Sequence, residues 1–564
     1  MPAPTDSTPT PAAEARPRRA RALTERAWAT ALGLLLGVPL LLSSVWAVQA
    51  GLDLSAWQHM LAAPQTWHAL ALSLWTGVAA SALAIAASAW VLSHSFPYRW
   101  PPVVRLLGPM LAVPHAAFGI GLVFLISPSG WLLRWISPWA TGLEAPPPWL
   151  TTQDPWGLGL IAALVAKEIP FLLWAAAAHL QRADVAQRLR RELDLARSLG
   201  YHPRTAWWRV VWPQLWPRLG WPMLAVLAYS LTVVDVALVI GPQSPPTLAV
   251  QAWSWLLDAD AATNRQGAAA AWLLALALAL TAAIAWWLPR MAVWHRRRTS
   301  GERGRQISAV GSRHAGTIGL RLLLALYLLI MLALAVGSIS GVWPFPRVWP
   351  TTITWAAWTS VWDSADTVGT TLTLALASAA AALLWSVGWL ETAPRRWDDT
   401  LRRLVYLPLI LPSVLWVVGV HAATLRWGMD ARWSGLWLAH SLACVPYVLI
   451  TLAPAYGGFD PRYRAVTATL GHGRLRFLLQ VKWPLLRSAL WSAFAVGFAV
   501  SVAQYLPTLF IGAGRFATVT TEAVTLASGA QRSLTSAYAW LQWLLPVLVF
   551  SLAAWAGRPR SIRR

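Results

Sequence analysis

Apolar runs of about 20 residues, the length needed to cross a hydrocarbon core of roughly 30 Å, recur twelve times along this chain. They lie near 27–49, 67–93, 106–127, 156–178, 221–241 and 267–288, then 319–341, 367–390, 404–424, 434–454, 488–511 and 536–556. Inside lipid the backbone must satisfy its own hydrogen bonds, so runs of this length predict helices. Only 12% of the residues are charged, against about 25% in soluble domains. The expectation is an all-α integral membrane protein with about twelve transmembrane helices. The first run is too long for a cleaved signal peptide despite the cleavage-like Val48-Gln49-Ala50, and reads as a retained helix.

The formal net charge of +23 raises nucleic acid as a partner, and its distribution argues against it. Arginines cluster at Arg16, Arg18, Arg19, Arg21 and Arg26, within 188–209, at Arg296–Arg298 with Arg303, Arg305 and Arg313, within 395–403, and at Arg558–Arg564. If the runs alternate across the bilayer, every cluster falls on one side. That is the positive-inside bias, and it places both termini in the cytoplasm. The opposite loops carry Asp154, Asp258, Asp260 and Asp363. The one cysteine, Cys444, excludes an intrachain disulfide and reads as core. Lysine occurs only at Lys167 and Lys482, which reads as coding bias.

The chain also repeats itself. Leu199-Gly200 and Leu470-Gly471 lie 271 residues apart, each with proline thirteen residues after the glycine, at Pro213 and Pro484. From Leu199 to Gly241, twelve of 43 positions match the second copy without a gap. The organisation is therefore 1–26 as a disordered basic N-terminus, 27–288 as a first six-helix repeat and 289–318 as a linker. A second repeat follows at 319–556, with a basic tail at 557–564. The repeats run parallel, related by an axis along the membrane normal. The Pro- and Trp-rich external loop 128–155 has a much shorter counterpart at 425–433, and is either a partner contact or a cover segment.

Each repeat carries one polar loop after its fourth span. Val185, Leu189, Leu193, Ala196 and Leu199 form an apolar stripe at helical spacing, and Gly200 ends that helix by accepting left-handed angles. A second short helix then leads to Trp212-Pro213. In the other copy Tyr463, Val466 and Leu470 share one face before Gly471-His472-Gly473. A lone helix of this kind could simply lie on lipid; two copies with one spacing make that the weaker reading.

These loops resemble the EAA loop of permease subunits in binding-protein-dependent ABC importers. That family's pattern is Glu-Ala-Ala, three residues, Gly, nine residues, Ile, any residue, Leu-Pro. The matching positions are Asp194, Leu195, Ala196, Gly200, Val210, Trp212 and Pro213, and Ala465, Val466, Thr467, Gly471, Val481, Trp483 and Pro484. The resemblance implies a coupling helix per loop, seated in a cytoplasmic ATPase subunit. The ATPase-coupling residues it designates are Asp194, Ala196, Gly200, Pro213, Leu470, Gly471 and Pro484. It further implies a type I permease fold, two ATP-binding subunits, a periplasmic or extracellular solute-binding protein and the bacterial inner membrane. Two-times-six single chains look most like the iron(III) and thiamine branch. Ala465 departs from the acidic position, with Arg462 and Arg464 nearby.

Ionisable groups inside the bilayer cost several kcal/mol unless paired or wetted. Lys167 and Glu168 point about 100° apart on a helix and either pack or line a path. Asp235, Ser230, Thr232, Ser501 and Gln504 form a candidate translocation lining, with interhelical hydrogen bonding as the plainer role. No Gly-x-x-x-x-Gly-Lys-Ser/Thr loop, His/Cys cluster or Gly-x-Ser-x-Gly turn occurs, so the sequence calls for no cofactor, no metal and no enzyme site. The alternatives are a secondary transporter of the major facilitator type and a multi-spanning membrane enzyme.

Overall fold

The computed structural model describes residues 11–97, 100–180, 182–299, 315–529 and 531–558. Among them every regular element is a helix, with only two isolated bridges, Gln243 to Pro246 and Ser340 to Ile353. Among the described residues ten helices are long and apolar enough to cross a membrane, from Leu23–Ala50 to Arg532–Ala556. The pair Arg395–Leu409 and Ser413–Arg426, bent by 110°, is apolar enough to make an eleventh if it serves as one broken span, against about twelve expected. The bend falls at Pro412, which lacks an N–H and drives Leu411 away from helical angles.

The expected continuous span at 221–241 is broken. It forms Gly220–Thr232 and Asp235–Ile240, with Val233 extended between them. The carbonyl of Thr232, which no longer has an in-register helical donor, accepts from Ser413 Oγ at 3.3 Å. The second copy breaks in the same place, between Trp483–Val502 and Leu506–Gly512. Breaks of this kind persist in a membrane only where protein re-satisfies the backbone.

The duplication extends to secondary structure. Helices Pro203–Ala206 and Arg474–Phe477, the wide turns Trp207–Val211 and Leu478–Lys482, and helices Leu248–Leu256 and Val519–Ala527 all sit 271 residues apart. Even a capping contact repeats. Leu248 N–H donates to Ser73 Oγ at 2.8 Å, and Val519 N–H to Thr371 Oγ1 at 2.9 Å.

The first helix of each half lies against the other half. Pro11–Ala50 packs on Ala365–Thr392 and Ser413–Arg426, while Ala315–Ser338 packs on Pro64–Ser95 and His115–Ile126. Trp385 Nε1 donates to Leu32 O at 2.9 Å, and Tyr327 Oη to Ala166 O at 3.0 Å. The halves are thereby interlocked.

The stretch 1–26 was expected to be disordered; the first helix begins at Pro11. Residues 1–10, the linker stretch 300–314 and the tail 559–564 lie outside the described residues. Loop 128–155 is tied to the second repeat: Trp131 Nε1 donates to Val348 O at 2.9 Å.

Candidate coupling site

Both glycine elbows are built identically. Helix Ala183–Ser198 ends with Gly200 N–H on Arg197 O at 3.0 Å and Tyr201 N–H on Ala196 O at 3.1 Å. Helix Arg462–Thr469 ends with Gly471 N–H on Ala468 O at 3.0 Å and His472 N–H on Thr467 O at 3.1 Å. This double closure requires a left-handed residue after the helix. Gly200 has φ +87° and Gly471 φ +75°. A Cβ at either would meet nothing within 4 Å, so the demand for glycine is one of backbone angle alone.

After each elbow a short helix widens into a turn closed five residues apart, Trp212 N–H to Trp207 O and Trp483 N–H to Leu478 O. Pro213 and Pro484 follow directly. Their missing N–H removes the normal bond, and the wide turn accommodates the ring. In the second copy the helix then runs straight into the span, Arg474–Val502. Pro484 thus lies inside the helix that enters the membrane.

The loops are fastened differently. In the first, Trp207 and Val211 are buried, and Trp207, Trp208 and Trp216 surround Trp212 at ring separations of 5.4–5.8 Å. Gln214 Nε2 donates to Glu192 Oε2 at 2.6 Å, tying the two arms. In the second, Lys482 stands where Val211 does, and its Nζ meets Glu391 Oε1 at 2.7 Å. Those side chains are 13% and 11% exposed. Arg474 donates to Glu391 O at 2.7 Å and also pairs with Glu25 of the first helix. Lys482, Glu391 and Arg474 wall a cavity of about 190 Å³ under the loop. Lys482 thus has a structural role that coding bias does not explain, and its rarity, one of two lysines, is the sequence signal for it.

Among the designated coupling residues, Asp194 is exposed and lies 3.7 Å from Arg197. Arg182 holds the nearby Asp184 carboxyl below the usual carboxylate range by a hydrogen bond. Ala196 is turned inward with Leu189 and Leu193. Leu199 does not continue that buried stripe, because it follows the last helical turn. It is 68% exposed, as Leu470 is at 67%. Leu195 and Val466, equivalent by the repeat, are exposed beside them. Pro213 and Pro484 are exposed.

The candidate lining residues gather at the two span breaks. Ser230 is buried with no partner for its hydroxyl, and Thr232 Oγ1 bonds back to Ala228 O at 2.7 Å. Ser501 Oγ lies 2.8 Å from His440 Nδ1, and Gln504 is half-buried. Asp235 opens the short helix after the first break. Lys167 and Glu168 do part company: Lys167 Nζ donates to Val113 O at 2.5 Å, while Glu168 Oε1 lies 3.3 Å from His115 Nε2. His115 and His440 were missed, since neither belongs to a motif.

No family model matches the chain. It is 34% identical over 534 residues to the inner membrane ABC transporter permease protein YnjC of Escherichia coli K12, covering 93% of this chain and 95% of that protein. Part of it is 29% identical to the thiamine transport system permease protein ThiP of Brucella suis, over 28% of this chain and 32% of that one. A similar share, 28%, is 25% identical to 62% of the putrescine transport system permease protein PotI of Escherichia coli K12. The length and continuity of the first match settle the class: the chain belongs to the ABC transporter permease family, as a multi-pass inner-membrane protein.

Proposed function

We propose that this chain is a two-repeat translocation subunit of an ATP-driven importer, taking a small solute from a periplasmic binding protein. Two cytoplasmic ATP-binding subunits would dock on it, one per loop, and supply the hydrolysis that the chain itself has no site for. The observation that carries this reading is the pair of matched glycine elbows, each presenting an exposed leucine, Leu199 and Leu470. The repeats at 27–288 and 319–556, joined by 289–318, are read as the two pathway halves. Ser230, Thr232, Asp235, Ser501 and Gln504 are read as pathway lining near the breaks.

Retention of the ATP-binding subunit by the purified chain tests this. The double change Leu199→Ser with Leu470→Ser removes the apolar contact at both loops and is expected to abolish retention. Asp194→Ala is expected to lower it modestly, by about 0–1 kcal/mol and less in high salt, because exposed ion pairs are weak and screened. Full retention by the double variant rules out leucine docking.

The orientation follows from the arginine clusters. Ser198 and Thr469 are exposed beside the elbows, and cysteines there are expected to react with impermeant thiol reagents only in inverted vesicles. Native Cys444 is buried and contributes little background. Labelling from outside intact cells would reverse the topology.

A further inference from the structure

At the opposite end of the helices from the coupling loops lies a cavity of about 750 Å³, within the size range of small-molecule sites. Its walls come from the C-terminal ends of His115–Ile126 and Ala315–Ser338 and the N-terminal end of Arg532–Ala556, so both halves build it. Two arginines line it and no Asp or Glu does.

The arginines converge on one residue from opposite halves. Arg134, 5% exposed, donates through Nε to Ser129 O at 2.9 Å. Its Nη1 donates to Pro344 O at 2.9 Å and Arg347 O at 3.0 Å, and its Nη2 to Trp343 O at 3.1 Å. Arg532 Nη1 donates to Ser129 Oγ at 2.8 Å. Two guanidinium groups thus bracket Ser129, one held by carbonyl dipoles and the other by a hydroxyl. The nearby Asp154 does not compensate them. Its carboxylate accepts from the N–H groups of Trp156, Leu158 and Gly159, and it is absent from the wall.

Bracing the two halves accounts for the Arg134 cage. It does not account for a second cation placed beside the first, where like charges repel and the cavity confines the field. We propose that this cavity is an external vestibule that receives a small solute through its oxyanion group, such as a phosphate-, carboxylate- or molybdate-like anion. Arg532 is the exposed contact, because a guanidinium matches oxyanion geometry. Trp131 and Trp343 form walls. Polyamines and thiamine-like cations are disfavoured by the same field. This rests on the importer reading and narrows its substrate class.

The test measures the cavity directly and needs no ATP hydrolysis, so its failure is distinct from failure of the permease reading. Ser360 is an exposed wall residue, and Ser360→Cys places a thiol there. The full complex would be reconstituted in phosphatidylcholine vesicles and labelled with anionic or cationic methanethiosulfonate reagents, each rate normalised to a free thiol. The anionic reagent is expected to be favoured about tenfold, and Arg532→Gln to reduce that preference toward unity. Millimolar molybdate or inorganic phosphate is expected to slow labelling, and putrescine or thiamine to leave it unchanged. A preference for the cationic reagent, or protection by putrescine or thiamine alone, overturns the proposal. Protection that appears only when phosphatidylglycerol is added, with none from the inorganic anions, assigns the cavity to a lipid headgroup and overturns it equally.

Discussion

Glu391→Ala is expected to unfasten the second coupling loop and destabilise it by about 3 kcal/mol, the lower end of the cost of stranding a buried partner charge. Lys482 would keep its contacts over the Tyr456 ring at 4.4 Å and the Phe459 ring at 5.7 Å, which offset part of the loss. Glu391 and Lys482 are largely enclosed, and their ion pair joins the wide turn before Pro484 to the end of helix Ala365–Thr392. Limited proteolysis of the stretch 457–474 should accelerate strongly, and hydrolysis by the complex should lose its dependence on solute. Changing both partners, Glu391→Met with Lys482→Met, should restore most of the protection, since apolar replacement of a buried pair is often near neutral. Arg474→Gln should do less, because Arg474 is about one third exposed. Unchanged proteolysis in Glu391→Ala would show that the pair carries no load.

Gly200→Val and Gly471→Val are expected to have the second largest effects. Each forces a β-branched residue to φ near +87° or +75°, at about 1–2 kcal/mol or more of backbone strain. Because a Cβ has open space at both sites, the effect separates conformation from clash. Asparagine, which tolerates left-handed angles, should support near-normal solute-stimulated ATP hydrolysis, while valine lowers it about tenfold with membrane insertion intact. Equal activity of the valine and asparagine variants would remove the elbow from the mechanism.

The duplicated loops and most spans were legible because their signals are local: apolar runs, glycine and proline at fixed spacing. The break at Val233 was not, because hydropathy does not register a change of backbone angle within an apolar stretch. Its stabilising contact, Ser413 Oγ to Thr232 O, comes from 181 residues away. The outward direction of Leu199 was missed since helical periodicity was carried one residue past the last turn. Lys482 met Glu391 only through tertiary packing. The interlocking of the halves, such as Trp385 on Leu32 O, likewise leaves no periodic trace. Ala465 shows the converse: the lost acidic position was plain in the sequence, and the structure replaces that charge with none, leaving Val466 and Leu470 exposed beside it.

The most direct test of the central claim is proximity at the elbows. With Cys444→Ala as background, a cysteine would replace Ser198 or Thr469, exposed beside the docking leucines, in the assembled complex and be treated with a short bifunctional thiol reagent. Two matched coupling loops predict a cross-link to the ATP-binding subunit from each position, one subunit per loop. Cross-linking from only one position, or from neither while the complex still hydrolyses ATP, would contradict docking through paired elbows.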